Sequence, residues 1–484
     1  MRFFNRLLTR RGWWLCLGIT AFSFECESRM AFGQQGTEGV SQRLHAQVPR
    51  YWELPDRTEE LQQKIEASNG HLELDESYYR ITRPLVLDLE KLKGASVEGS
   101  GGVRLIMDGP GPAFMIQGTH LGTASPKSFE PNTWNQHMPI LEGVEILGAS
   151  EQAIGIRLEG SVGAILRGVA VRWCQHGVHL MGRNRNVIIS DCHFYENKAI
   201  GIFLDDVNLH QINVMGSLIS YNQGGGIVVQ DGNVRNLQVT GCDIEANMPF
   251  DETATRAANI WIDASGSNGD RRKSIAEVAI TGCTIQHSAN YSGDEDKTVA
   301  PGGANIRLSG KEIYPIDSVT ISGNVISDTT FNIDLLHVMD VAIAANNFFA
   351  PKLQNIRVAH GNRLVLQGNT FNPRQFVRPG WISLTDCTDC VIANSTLHHL
   401  ATHEGAVRLL RCKGVAMNGL VVSECDSGVR IQDSENIMMV GCLFRGTKKG
   451  PDISLDHDCR QITLEANQTP GGIAGLGVSE ISRE

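Results

Sequence analysis

Positive charge is scarce in this chain: 43 Lys and Arg stand against 53 Asp and Glu, a formal net charge of −10 over 484 residues. A general nucleic-acid binder needs a basic face for phosphate contacts, and the charge argues against that class. The same deficit means that a polyanionic partner has to be met by a local basic patch or a bridging cation. Long hydrophobic runs are missing as well. The apolar stretch 13–24 has 12 residues, too few for a bilayer-spanning helix, which needs about 20. Aromatic residues make up only 6%, whereas Gly reaches 51 residues. That balance suits a fold with many tight turns.

What is present begins with an export signal. Arg2, Arg6, Arg10 and Arg11 precede the apolar stretch, and Ala31-Phe32-Gly33 offers a small–x–small cleavage site before Gln34. This is the layout of a secretory signal over residues 1–33. Thr9-Arg10-Arg11-Gly12-Trp13-Trp14 also resembles a twin-arginine signal. The mature chain is therefore expected to be secreted or periplasmic, without a transmembrane anchor. Residues 34–55 read as a linker and 470–484 as a flexible tail.

The rest is governed by one repeat, apolar–x–small–(Cys/Asn/Ser)–x–apolar. It reads Ile189-Ser190-Asp191-Cys192-His193-Phe194, then Val239-Thr240-Gly241-Cys242-Asp243-Ile244, then Ile321-Ser322-Gly323-Asn324-Val325-Ile326. It returns mostly every 22 to 26 residues, and a second element of the form G/N–I–x–L–x, such as Gly201-Ile202-Phe203-Leu204-Asp205, lies between its members. A fixed period of this size means one unit stacked on itself, and the alternation at period two makes the units short strands. A stack of strands and turns is a parallel β-helix. The predicted fold is all-β, a parallel β-helix of about 12 to 13 coils with an N-terminal capping helix. Leu61 and Ile65 at i, i+4 within 56–68 mark that helix. The cap and first coils take 56–138, and the regular β-helix 139–469.

The twelve cysteines would suggest disulfides in an exported protein. Cys16 and Cys26 lie in the signal, however, and Cys192, Cys242, Cys283 and Cys442 occupy the repeating fourth position. Packing is their expected role. Cys387 and Cys412 share a register roughly one strand spacing apart, which leaves a bridge there open. Cys387-x-x-Cys390 falls between strands and is expected in the core.

A cap helix followed by coils of V-x-I-x-G-N/C-x-I and G-I-x-L with an Asn stack resembles the right-handed parallel β-helix of the pectin-lyase-like superfamily, over residues 56–469. The resemblance implies the fold. Its members include polysaccharide lyases, glycoside hydrolases, epimerases, tailspikes and adhesins, so it does not select an activity. The acidic motifs N-T-D-G and G-D-D-C of polygalacturonase-like members are absent, since Ala199-Ile200-Gly201 and Gln223-Gly224-Gly225 stand at the corresponding strand entries. That catalytic set is not carried over.

Two interruptions of the repeat point to a site. The interval from the fourth position to the next inward Ile is 10 residues for Cys192 to Ile202, but 18 for Cys242 to Ile260 and 23 for Cys283 to Ile306. Adjacent coils thus carry insertions at one turn, 247–258 (with Asp251, Glu252 and Arg256) and 286–304 (with Asp294, Glu295, Asp296 and Lys297). Loops of this length are commonly functional. In the following strand the x residues face outward, which lines up Trp261, Asp263, Arg307, Asp334 and Arg357 beside a row of Asn. Asp205, Asp263, Arg307 and Asp334 are the catalytic candidates. Trp261, Asn259, Asn305, Asn332 and Arg357 are the substrate-binding candidates, because a Trp face suits a sugar ring and Asn and Arg suit hydroxyls and carboxylates.

The expectation is a carbohydrate-active protein degrading an extracellular, uronate-containing polysaccharide, by hydrolysis between two carboxylates or by β-elimination. For elimination, the family resemblance implies an Arg or Lys base, here Arg307, often with Ca²⁺ held by carboxylates; otherwise no cofactor is expected. The alternative is a non-catalytic surface or adhesive glycan-binding β-helix. Glu404 and Asp426, at consecutive strand entries, form a weaker second pair. His398, His399 and His403 lack a ligand set with metal spacing, and no metal site is assigned.

Overall fold

The computed structural model describes residues 44, 46–48, 50–123, 125–249, 257–266, 274–287, 302–374 and 378–475, and the backbone of 481–483. The export signal and the interiors of both insertions lie outside the described residues.

Each regular coil contributes three strands. One coil runs His176–Met181, Arg183–Ser190 and His193–Tyr195, and the next runs Ile200–Asp205, Asn208–Met215 and Leu218–Ser220. Each strand pairs in parallel with the equivalent strand one coil away. Inward Ile residues therefore stack: Ile202 on Ile227, then Ile260, Ile306, Ile333, Ile356 and Ile382, all fully buried. Burying each such side chain stabilises the fold by about 1.5–3 kcal/mol. The small residue of the repeat turns the corner. Gly241, Gly282 and Gly323 have φ of 61°, 64° and 66°, a left-handed conformation that costs a glycine little.

Two ladders of polar side chains run inside the corners. One contains Asn324, Asn346 and Asn369, linked Nδ2 to Oδ1 at 3.0 and 3.1 Å. The other runs Asn197, Asn222, Asn247, Asn259, Asn305, Asn332 and Asn355, with links of 2.7 to 3.0 Å. Asn259, Asn305 and Asn332 are fully buried, which corrects their expected substrate-binding role. Their amides donate instead to the corner carbonyls of Gln286, Ser327 and Phe349. A buried carbonyl left without a donor is costly, so the amide is required inside. Asn305→Ala strips the donor from the Ser327 carbonyl and from Asn332 Oδ1, and the acceptor from Asn259. We expect a loss of about 2–4 kcal/mol in chemical denaturation, from three buried groups that each lose a partner; a loss below about 1 kcal/mol would show that the ladder is dispensable.

The ten cysteines among the described residues are buried free thiols, Cys387, Cys390 and Cys412 included. The cap is the helix Thr58–Ala67, with Leu61 and Ile65 buried. Gln62 on its outer turn both donates to the Val86 carbonyl and accepts from the Val86 N–H, satisfying a strand edge that would otherwise invite pairing. Two boundary expectations change. Leu44 and Val48, in the stretch read as a linker, pack on Ile106, Leu147 and Trp173 outside the solenoid. The tail read as flexible adds strands, with Ile473 on Ile453 and Ile481 on Ile462.

Candidate functional site

The outward column next to the insertions is continuous: His179, Phe203, Val228, Trp261, Arg307, Asp334 and Arg357 occupy successive rungs. Asp205, Gln230 and Asp263 form a second column two residues along. The sequence-predicted residues are thus brought onto one face, apart from the Asn row. Their environments differ sharply.

Arg307, Asp334 and Arg357 make a compact charge row. Asp334 receives Arg307 Nε at 3.0 Å and Arg357 Nε and Nη2 at 2.8 and 2.9 Å. Burial alone would raise the Asp334 pKa, but the Arg357 hydrogen bonds and the two guanidinium charges hold it below the usual carboxylate range. A carboxylate so held is neither a proton donor nor free to attack. Arg307 is 6% exposed, and it also donates to the carbonyls of Ala257 and Gly302. These two residues lie where the insertions re-enter the sheet. Arg307 therefore ties both re-entry points to the next coil. A guanidinium that stays protonated and is bonded on every side has no capacity to act as a base. These positions read as cross-strand pairing.

Trp261 is half-buried on a satellite cluster of Ala258, Ala304, Phe331 and Leu353. Its indole N–H has no partner among the described residues. Arg357 lies over the Phe331 ring at 3.8 Å, and its side chain keeps 43% exposure. Trp261 and Arg357 remain available beside the column of carboxylates.

In that column Asp205 is partly exposed and meets His179 Nε2 at 3.0 Å. Asp263 is partly exposed and accepts from the Ser265 N–H at 2.9 Å and from its hydroxyl. Gln230, exposed, stands between them. Two strand spacings separate the carboxylates by roughly 9.6 Å.

The pairing of His179 with Asp205 was not foreseen. His179 stacks on Phe203 at 5.2 Å and 11°, and His176 lies 5.3 Å from it. Burial lowers the pKa of both rings, that of His176 to about 4, and Arg157 adds to the effect. A neutral His179 that donates from Nε2 to Asp205 leaves Nδ1 as an acceptor, in accord with the unpartnered, buried Nδ1. Strict alternation would set His176 and His179 on opposite faces, since residues three apart in a strand face opposite ways; the strand pairing skips Gly177, and the two rings meet on one side. A second unforeseen group is Asp328, 2% exposed, whose pKa burial pushes up to about 6 against the Ser327 hydrogen bond and the charges of Arg374 and Arg378. Its burial keeps it from a substrate.

The weaker pair is occupied. Glu404 meets Arg408 at 2.9 Å, and buried Asp426 meets Lys449 at 3.0 Å. His398 contacts Ser423. Among the described residues no group of three His, Cys, Asp or Glu has an arrangement able to hold a metal ion. The acidic run 294–296, named with Asp205 and Asp263 as a source of cation ligands, lies outside the described residues. No helix among the described residues is long and apolar enough to cross a membrane.

With this geometry in hand, a family model described as a right-handed β-helix region matches residues 135–270. The chain is a right-handed parallel β-helix. Solved structures similar to this β-helix include the A-module of mannuronan C-5 epimerase AlgE6 from Azotobacter vinelandii, at 11% identity and TM-score 0.37, covering 89% of this chain and 96% of that one. The Dettilon tailspike protein matches at 13% and 0.44, covering 87% of this chain and 65% of that one. PfbA, a surface adhesin of Streptococcus pneumoniae, matches at 14% and 0.39, covering 84% and 88%. Identities this low say nothing of a shared activity. No curated protein matches the sequence.

Proposed function

We propose that this β-helix is exported and hydrolyses an extracellular, uronate-containing polysaccharide, using Asp205 and Asp263 as its two carboxylates. The observation that carries this reading is their register: both face outward on one column, two coils apart, with Trp261 beside Asp263. A separation of roughly 9.6 Å lies at the upper end of the range for inversion, where a water must fit beneath the sugar. Gln230 occupies the rung between them and offers an amide to that water. His179 acts as a positioning residue, fixing the Asp205 carboxylate through Nε2. In this reading one carboxyl group protonates the leaving oxygen and the other removes a proton from the attacking water, whose oxygen bonds to the anomeric carbon. The glycosidic bond breaks, and a hemiacetal of inverted configuration is released.

Elimination loses support because Arg307, its candidate base, is bound to Asp334 and two carbonyls. A second reading, a non-catalytic glycan binder, is favoured by the existing contacts of Asp205 with His179 and of Asp263 with Ser265. Incubating the mature chain with uronate and neutral polysaccharides separates them. New reducing ends of inverted anomeric configuration support hydrolysis. Unsaturated uronate products would overturn the carboxylate pair in favour of elimination, and binding without any product would favour the binder. Trp261→Ala is expected to weaken glycan binding about tenfold through loss of ring stacking while the coil stays folded. Unchanged binding by calorimetry would remove the Trp261 face from the site.

A further inference from the structure

Arg185 differs from the carboxylate-paired arginines of the solenoid. It is 6% exposed, its Nε is sealed from solvent without a hydrogen-bond partner, and among the described residues no carboxylate pairs with it. Elsewhere Arg307 and Arg357 share Asp334, Arg408 meets Glu404, and Arg411 meets Asp386. An uncompensated buried guanidinium is costly, and the cost falls when an anion fills the place of the missing carboxylate.

The surroundings are built for that. Arg183 lies two residues away and donates from Nε to the Gly122 carbonyl at 2.7 Å, which anchors the segment 118–123 over this corner. His120 in that segment is 5% exposed, and its buried Nε2 has no partner among the described residues. Burial first, and then the positive charges of Arg183 and Arg185, lower the His120 pKa; burial and Arg183 push Arg185 down to about 10. Among the described residues no acid offsets either group. The register continues outward, with His137 paired to Val162 and Val162 to Arg185. Val162 in turn lines a cavity of about 330 Å³ with Pro126, Phe129, Trp134, His137 and Asn186. Trp134 is 61% exposed and meets Phe129 edge-on at 4.6 Å, and Phe129 lies 6.1 Å from the His120 ring, which links an open aromatic face to the cationic corner. A ring face next to a guanidinium fork suits a sugar that carries an anionic group.

We infer that Arg185, Arg183 and His120 form an anion pocket that takes the carboxylate or sulfate of an acidic saccharide lying on the Trp134 shelf. The inference rests on the reading of the chain as a glycan-binding protein and adds a subsite separate from the Asp205–Asp263 column. It also answers how a chain of net charge −10 meets a polyanion, namely by a local cationic corner.

The test uses the mature chain and calorimetry at low salt, with trigalacturonate as the carboxylated probe, a κ-carrageenan tetrasaccharide as the sulfated probe, maltotriose as the neutral control and sodium sulfate as the free ion. Arg185→Met is expected to weaken the acidic saccharide about ten- to hundredfold, the scale of a charged hydrogen-bonded contact. Maltotriose binding should not change, and the melting temperature should hold or rise because an unpaired buried charge is gone. Trp134→Ala should weaken the saccharide and leave sulfate binding intact. Preference for one acidic probe assigns the anionic group. Equal affinities of the wild type and Arg185→Met for both acidic probes would overturn the pocket, as would binding of free sulfate with no saccharide bound. Loss of hydrolysis in Asp263→Asn with the Arg185 effect preserved, or the reverse, shows which of the two sites stands.

Discussion

Replacing Asp263 by asparagine is expected to lower hydrolysis about 10²–10⁴-fold, the contribution of a positioned acid or base, with the coil still folded. Asparagine keeps the Oδ1 acceptor that now serves the Ser265 N–H and hydroxyl, so the turn after the strand retains its cap. What disappears is the charge or proton that the second oxygen carries. Asp205→Asn should have a loss of the same order, and the double variant should lose little beyond either single one if the two act as a unit. Initial rates from reducing-end release, with circular dichroism as the fold control, decide it. Wild-type rates in both single variants would remove this column from the chemistry and leave a glycan-binding solenoid.

Asp334→Ala should be the most destabilising change at the strip, by about 3–5 kcal/mol, because it leaves the Arg307 guanidinium buried without its counter-charge. Asp334 now accepts from both Arg307 and Arg357. The pair Arg307→Met with Asp334→Leu should recover part of the loss, since a buried ion pair can be replaced by apolar groups at little cost. It should nevertheless free the carbonyls of Ala257 and Gly302, and hydrogen exchange at both re-entry strands should rise. The pH dependence has a definite sign. The Asp334 pKa is depressed in the fold, because the arginine contacts outweigh burial. Its contribution is therefore complete above the unfolded carboxylate pKa of about 3.9 and is lost as pH falls through the lower folded value. Wild type should lose stability over that acid window more steeply than Asp334→Ala. Parallel acid-denaturation curves, or a neutral-pH loss under about 1 kcal/mol, would show that the charge row is a surface ornament of the kind exposed pairs often are.

Legibility differed by element. The Ile ladder, the glycine corners and the Cys and Asn positions followed from period and residue type, because a stacked coil repeats the same environment. The columns Trp261–Arg307–Asp334–Arg357 and Asp205–Gln230–Asp263 followed from strand alternation, and the pairing register agrees with them. The Asn259, Asn305 and Asn332 row was placed outside because strict alternation sets the residue before an inward Ile outward, whereas the strand pairing skips these residues and their side chains turn inward, where corner carbonyls demand a donor. Residues 44–48 read as a linker because four or five residues carry no period that reports packing on a distant surface.

The repeat by itself determined the fold, the inward and outward faces, and the place where the rhythm breaks. Those are consequences of local periodicity, and a solenoid makes local periodicity global. Only the tertiary structure decided which charges on the outer face are spent on one another. Arg307 and Asp334 looked as available as Asp205 and Asp263 one column away, since all face outward from the same sheet, yet a guanidinium is claimed by whichever acceptors lie within about 3 Å of it in space. The same holds for the His179–Asp205 contact and for Arg185 beneath the segment 118–123. Each depends on side-chain reach across coils and on what a loop covers, and neither quantity is written in the spacing of residues along the chain.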